Sequence, residues 1–452
     1  MSEPRNSSNS GSVAPNPELV MDVKEANAQY VLPAERQIPK GYKQTEVGVI
    51  PEDWDVTQLK EAATVVDSLH QTPSFSLDGY PMVRVTDIKP GNLRLTAAFN
   101  VSQSVFMNFI RNYKPKRGDI VLSRVGSYGV SSFVETDEPF CMGQNTVVID
   151  CKKPSRFLYY VLNSKEIRRQ IEDASFGTGY KSLSLKNING LKIPLPPTKA
   201  EQEAIAEALS DADALIEALE QLVAKKRQLK QGAMQELLTG KRRLPGFEVQ
   251  PGYKQTEVGL IPKDWSSVFL GTIFEISAGG DLDKGSFSKL EDDLYPYPIY
   301  ANAVTNMGLY GFSKNYQYEA DKITVTARGD VGTAVYRNTY FNAIGRLLVL
   351  TPKQQCDLRF LAEYIDNFVE FAFESTGVPQ LTAPQISKYQ VALPGIEAEQ
   401  TAIAQILTDM DAEITVLETK LAKARAVMQG MMQQLLTGKI RLVVNPKPII
   451  DN

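Results

Sequence analysis

Two stretches of this chain are near copies of one another. Gly41–Trp54 reads GYKQTEVGVIPEDW and Gly252–Trp265 reads GYKQTEVGLIPKDW, differing only at Val49/Leu260 and Glu52/Lys263. A second pair follows. AEQEAIAEALSDADALIEALE starts at Ala200 and AEQTAIAQILTDMDAEITVLE at Ala398, and both run on to LLTGK, at Leu237–Lys241 and Leu435–Lys439. The first pair is offset by 211 residues and the second by 198, so the first intervening segment is 13 residues longer. A repeat decides the architecture before any single element does, because each copy must solve the same packing problem. The order is leader, insert, helical piece, then leader, insert, helical piece again. The inserts, about 56–195 and 267–393, are strongly diverged but keep echoes. GDIVLSRVGSYG at Gly118–Gly129 parallels DKITVTARGDVG at Asp321–Gly332, and Thr178–Gly179 parallels Thr376–Gly377. One shared fold is expected for both inserts. A duplicated frame around two different inserts suggests one job done twice on two targets.

The repeated helical pieces read as long helices. In the second, Ile403, Leu407, Met410, Ile414, Leu417, Leu421, Ala424, Met428, Met431 and Leu435 alternate in steps of four and three with no proline between them. That is a heptad seam. The first piece starts likewise through Ile205, Leu209, Ala212, Ile216, Leu219 and Val223, but then Lys226 and Lys230 fall on the seam. The line Leu215, Leu222, Leu229 implies that its apolar stripe widens or rotates there. Thr-Gly-Lys ends each piece with a glycine where a left-handed cap belongs. About 40 residues of helix span ~60 Å. The simplest arrangement pairs the two helices antiparallel within the chain; the alternatives are that each packs on its own domain or on another subunit. The inserts look mixed. DIVLSRV, NTVVID, KITVTA and GRLLVL are short β-branched runs between turn residues. FLYYVLNSKEIRRQIEDAS and LRFLAEYIDNFVEFAFEST predict one amphipathic helix each. The fold class expected is α+β: two mixed domains separated by two long antiparallel helices, with an internal pseudo-twofold repeat.

The chemistry expected of an enzyme is missing. One histidine, His70, and three scattered cysteines leave little for a zinc site, a two-histidine mechanism or a disulfide framework. FGTGYKS at Phe176–Ser182 imitates a phosphate loop but has Tyr180 between its last glycine and its lysine, so a structural turn is the better reading. No Asn-Pro-Pro-aromatic tetrad, HExxH, CxxC or GxSxG is present. No apolar run reaches the ~18 residues of a membrane span. The opening MSEPRNSSNSGSVAPNP is polar, so no secretory signal is expected and residues 1–40 read as a flexible tail. A cytoplasmic location is expected.

Binding features are better represented. The chain carries a net charge of −4, but Asp55–Thr198 holds 18 basic against 13 acidic residues, and Ser266–Val391 holds 10 against 14. The first insert is a reasonable polyanion partner; the second needs a local basic face. Lys114, Lys116 and Arg117 precede a glycine-rich turn carrying Arg124, Ser127 and Tyr128, and Tyr180 and Lys181 lie in the later turn. Such loops let backbone and guanidinium approach a phosphate or a base edge. The alternative is a solvated β-turn. In the second insert, Tyr295, Tyr297, Tyr300, Tyr310, Tyr316 and Tyr318 alternate with Asn302, Asn306, Lys314 and Asn315, a pattern that could read base edges, and Arg328 lies in the matching glycine turn. Core or strand packing is the competing reading for at least half of those tyrosines.

The repeated GYKQTEVG-(V/L)IP-(E/K)DW leaders, the AEQ-initiated helices and the LLTGK endings, in this order, resemble the specificity subunit of a type I restriction–modification enzyme. The resemblance runs from Gly41 to Leu442. It implies two target-recognition domains, each reading one half of a bipartite asymmetric double-stranded DNA target, with the helices setting the spacing. It implies a non-catalytic chain that recruits two modification subunits for adenine methylation and, with restriction subunits, ATP-dependent cleavage. S-adenosylmethionine, ATP and Mg²⁺ would then belong to those partners and no cofactor to this chain. The domains expected are 41–198 and 252–396, with spacer helices 199–240 and 397–438, a linker 241–251 and a C-terminal tail 439–452. Candidate docking residues are Tyr42, Trp54, Tyr253, Trp265, Glu201, Gln202, Glu399 and Gln400. The alternatives are a helical-hairpin adaptor joining two non-nucleic-acid partners and an enzyme that turns over a substrate on its own.

Overall fold

A computed structural model describes residues 38–174, 182–248, 250–371 and 380–442. Both repeated helical pieces are unbroken helices of 39 residues, Lys199–Leu237 and Glu397–Leu435. They pair antiparallel. Glu220 meets Arg425, Arg227 meets Glu418, Lys226 meets Glu413, and Lys230 meets Asp411. The predicted seam of the second helix is its buried face: Ile403, Leu407, Ile414, Leu417, Leu421, Met428 and Leu435 are all buried. In the first helix Ile205, Leu209 and Val223 are buried in the same way. Leu215, Leu222 and Leu229 are exposed, so the stripe does not rotate towards the partner helix. Lys226 and Lys230 stay on the seam and are tolerated there because acidic residues of the second helix meet them, and Glu363 adds a second carboxylate to Lys230.

Each insert builds the same pair of sheets. In the first, a four-stranded antiparallel sheet runs Ala63–Asp67, Thr146–Cys151, Ile120–Ser123, Ser131–Phe133. Its counterpart runs Phe274–Ala278, Leu348–Pro352, Lys322–Val325, Ala334–Arg337. The sequence echo at Gly118–Gly129 and Asp321–Gly332 therefore supplies the same strand and turn in both. A smaller sheet joins Phe99–Val101, Tyr80–Val83 and Cys141–Met142, the last pair parallel. Its counterpart joins Phe287–Ser288, Leu309–Ser313, Tyr297–Tyr300 and Asn342–Ala343, again closing on a parallel pair. Of the single amphipathic helix expected at the end of each insert, the second insert forms Leu358–Phe368, shorter than the predicted stretch, whose residues 372–376 lie outside the described ones. In the first the segment splits into Ser155–Leu162 and Lys165–Ala174. The break falls at Asn163, whose side-chain amide donates to Ser131 Oγ, and at Ser164, whose hydroxyl accepts from Ile167 N. Short polar side chains that bond locally compete with the helix in this way.

The leaders form hairpins in identical register, Tyr42 opposite Pro51 and Tyr253 opposite Pro262. They explain the shared LLTGK endings. Gly240 and Gly438 sit at φ +70° and +67°. A Cβ at either would lie 2.5 Å from the Cγ of Pro262 or Pro51 respectively, with the Trp265 or Trp54 ring close behind. Glycine is thus required by conformation and by space. The second leader seats on the end of the first helix. The first leader seats on the end of the second helix, which brings the two ends of the described chain together. As a result neither of the two largest hydrophobic clusters belongs to one half of the sequence. The first domain's core includes Ile205 and Leu209 of the first helix together with Met428, Leu435 and Leu436 from the far end of the second. The second domain's core includes Leu237 and Leu238 together with Ile403 and Leu407.

Six of the eight candidate docking residues lie inside these junctions, while Tyr42 is half-buried and Tyr253 exposed. Trp54, Trp265, Glu201, Gln202, Glu399 and Gln400 are buried. Arg243 grips Glu399 (Nε to Oε1, 2.6 Å) and Asp264 (Nη1 to Oδ1, 2.8 Å), and Trp265 Nε1 donates to Glu399 at 3.1 Å. Arg441 repeats the grip on Glu201 (2.5 Å) and Asp53 (2.9 Å). Gln202 and Gln400 donate to the carbonyls of Pro196 and Pro394. Tyr42 donates to Gly438 O and Tyr253 to Lys241 O, each at 3.1 Å. Polar side chains at a helix start look like a solvated face in sequence; here each leads to an internal partner instead.

Candidate nucleic-acid interface

The basic run of the first domain is largely occupied. Lys116 pairs with Asp150 at 3.1 Å, and this hydrogen bond raises its pKa. Arg117 pairs with Glu135 and Asp137. Beneath them Tyr113 donates to Asp119, whose carboxyl is pushed up by burial. Lys114 and Ser127 are exposed, while Tyr128 packs against the core. Arg124 does not face outwards. Its Nη1 donates to both oxygens of Asp67 (2.8 and 2.9 Å) and its Nε to Leu183 O (3.0 Å). It ties the segment after the glycine turn to the main sheet. Arg124→Ala is therefore expected to lower stability by about 1–3 kcal/mol, the range for losing charge-assisted hydrogen bonds, seen as a lower urea midpoint. Any sequence preference of the domain should stay unchanged.

In the second domain Asn302 is structural: its amide donates to Gly345 O, and its oxygen accepts from Ala327 N. Tyr300 packs on Phe341 and under the buried guanidinium of Arg337, which lies 3.6 Å from its ring centroid. Arg337 forms no ion pair with a carboxylate among the described residues, and burial lowers its pKa to about 10. It bonds Thr324 Oγ1 and Met307 O instead. Lys314, Asn315 and Arg328 are exposed. Lys314 lies over Tyr295, and Arg328 donates to Gln380 at 3.2 Å. Tyr180 and Lys181, like both Thr-Gly echoes, lie outside the described residues.

The small sheet of the first domain carries an aromatic–arginine group that sequence reasoning missed, whereas that of the second carries tyrosines of the aromatic stretch already singled out. Each presents exposed aromatic rings with a cation laid on them. In the first domain Phe75 and Phe99 meet edge to face, and the Arg84 guanidinium sits 3.9 Å from the Phe99 centroid and 5.9 Å from that of Phe75. Both rings are nearly half exposed, and Leu77 beside them is 95% exposed. In the second domain Lys289 lies 4.2 Å from the Tyr310 centroid, and Tyr297, Tyr316 and Tyr340 form a contiguous ring cluster. The available signal was Arg84 and Asp87, three apart directly after a strand. Among the described residues no group of histidine, cysteine and acidic side chains is placed to hold a metal ion, and no helix is long and apolar enough to cross a membrane.

Comparison with known proteins joins this geometry to a family. The model of the type I restriction modification DNA specificity domain matches residues 51–231 and again 262–425. The type I restriction enzyme MjaVIII specificity subunit of Methanocaldococcus jannaschii is 24% identical over 433 residues, covering 87% of this chain and 94% of that protein. A second protein of that organism, named for the MjaX specificity subunit, is 28% identical over 428 residues, covering 89% and 97%. A crystal structure of a type I restriction–modification S subunit from M. genitalium superposes with a TM-score of 0.58 at 18% identity, covering 84% of this chain and 96% of that one.

Proposed function

The chain belongs to the type I restriction–modification DNA specificity family, and from that premise we propose that it reads a bipartite, asymmetric DNA sequence, one half with each domain. The observation that carries this reading is the exchange of helix ends between the two cores. Each 39-residue helix begins in one domain's core and ends in the other's. Two reading heads are thereby fixed at opposite ends of a pair ~60 Å long, ample to hold them one DNA turn, ~34–36 Å, apart. The domains share a fold but differ in surface chemistry, which suits two different half-sites.

Chemistry falls to partners in this reading. Two modification subunits bind S-adenosylmethionine and methylate an adenine in each half, and restriction subunits supply ATP- and Mg²⁺-dependent cleavage. Docking belongs to the outer faces of the helices, where Leu215, Leu222 and Leu229 form an exposed stripe on one and Val416 and Val427 stand exposed on the other. The pseudo-twofold frame offers two like surfaces to two like subunits. A chain in which residues 266–391 are replaced by residues 56–193 tests the assignment of one half-site to each domain. Assembled with its modification subunits, it should methylate an inverted repeat of the first half-site. Retention of the original asymmetric motif would contradict the assignment.

A further inference from the structure

We propose that Arg84 is the base-reading arginine of the first domain and that its target is a guanine in the major groove. The inference rests on the DNA-reading function proposed above and adds a contact residue and its base. Arg84 is built as a held fork. Its Nε and Nη2 each donate to Asp87, at 3.1 Å to Oδ2 and 3.1 Å to Oδ1, and its backbone N–H donates to the same carboxylate at 2.9 Å. Asp87 is itself 7% exposed, whereas the Arg84 side chain is 31% exposed. One face of the guanidinium lies on Phe99. Of its five N–H bonds, two are committed to Asp87. The remaining three lie on Nη1 and on the outer edge of Nη2, the planar end-on pair whose spacing matches O6 and N7 of guanine. Carboxylate and ring together fix the rotamer before contact, so little side-chain entropy is left to lose.

The other candidates in this domain are less suited. Arg124 is closed against Asp67 and Leu183, and Arg117 spreads its two ends over Glu135 and Asp137. The corresponding place in the second domain has no such residue. Val83 pairs with Met142 as Tyr300 pairs with Ala343, and Gly143 N bonds Val83 O as Ile344 N bonds Tyr300 O. Arg84 therefore corresponds to Ala301. At this place the second domain has an alanine and no arginine.

The test uses the full chain assembled with its modification subunits and a DNA pool randomised across both half-sites. The wild-type pool should converge on a motif with at least one fixed G·C pair in one half. Arg84→Ala should relax that single position by about 5- to 150-fold, the worth of one bidentate contact, and leave the other half-site as sharp as before. Arg84→Lys keeps the charge but not the fork and should relax the same position. Asp87→Asn, which loosens the hold without removing the arginine, should relax it less. The unchanged half-site in each pool reports that the variant is folded. An unchanged motif, or a loss of affinity equal for all sequences, would overturn the assignment while leaving DNA reading intact. A wild-type pool with no motif would instead overturn the DNA-reading function, and this inference with it.

Discussion

Arg243→Met is expected to destabilise the chain by about 3–5 kcal/mol, the range for leaving a buried charge without its partner. Arg243 is 9% exposed and Glu399, which it grips, 1%. Burial works against the arginine's charge, and its bonds to Asp264 and Glu399 outweigh this, so its pKa is raised. Methionine would leave Glu399 with only the Trp265 indole to answer its charge. Adding Glu399→Gln should restore much of the loss by removing the orphaned charge. Arg441→Met at the other junction should cost less, because Asp53 and Arg441 stand closer to solvent. Urea unfolding of the three variants checks the order. Equal losses at the two junctions would show that burial does not set the cost.

Seven residues inserted into each spacer helix, after Leu222 and after Leu421, should abolish methylation at the natural spacing. A heptad keeps both seams in phase and adds about 10 Å, or roughly three base pairs. One half-site is then out of reach when the other is bound. Each base pair wrongly read costs about 1–3 kcal/mol, so the loss at the natural target should be at least about a hundred-fold. Targets with a longer spacer should be preferred over it. The salt bridges flanking the insertion, Glu220–Arg425 and Arg227–Glu418, are retained in register, so the helix pair itself should persist. An unchanged spacing preference would refute the helices' role in setting the spacing.

The frame of this protein was legible because it is written twice. The seam Ile403–Leu435, the closing glycines and the strand echo at Gly118 and Asp321 each follow from local spacing, and the structure uses them as that spacing implies. What escaped depends on contacts distant in sequence. Glu201 and Glu399 read in sequence as docking candidates of a first helical turn; their partners, Arg441 and Arg243, lie 240 and 156 residues away. Arg124 looked free beside a glycine turn because Asp67 is 57 residues upstream. The helix break at Asn163 turns on a serine in another strand. Arg84 was overlooked for the opposite reason. Its partner is three residues away, but its meaning depends on Phe75 and Phe99, which only the small sheet brings to it.

The most direct measurement is adenine methylation mapped across host DNA when the chain is co-expressed with its modification subunits. One bipartite motif with two different halves at fixed spacing is expected, present with this chain and absent without it. Methylation that ignores sequence, or a motif that persists when this chain is removed, would contradict the DNA-reading function.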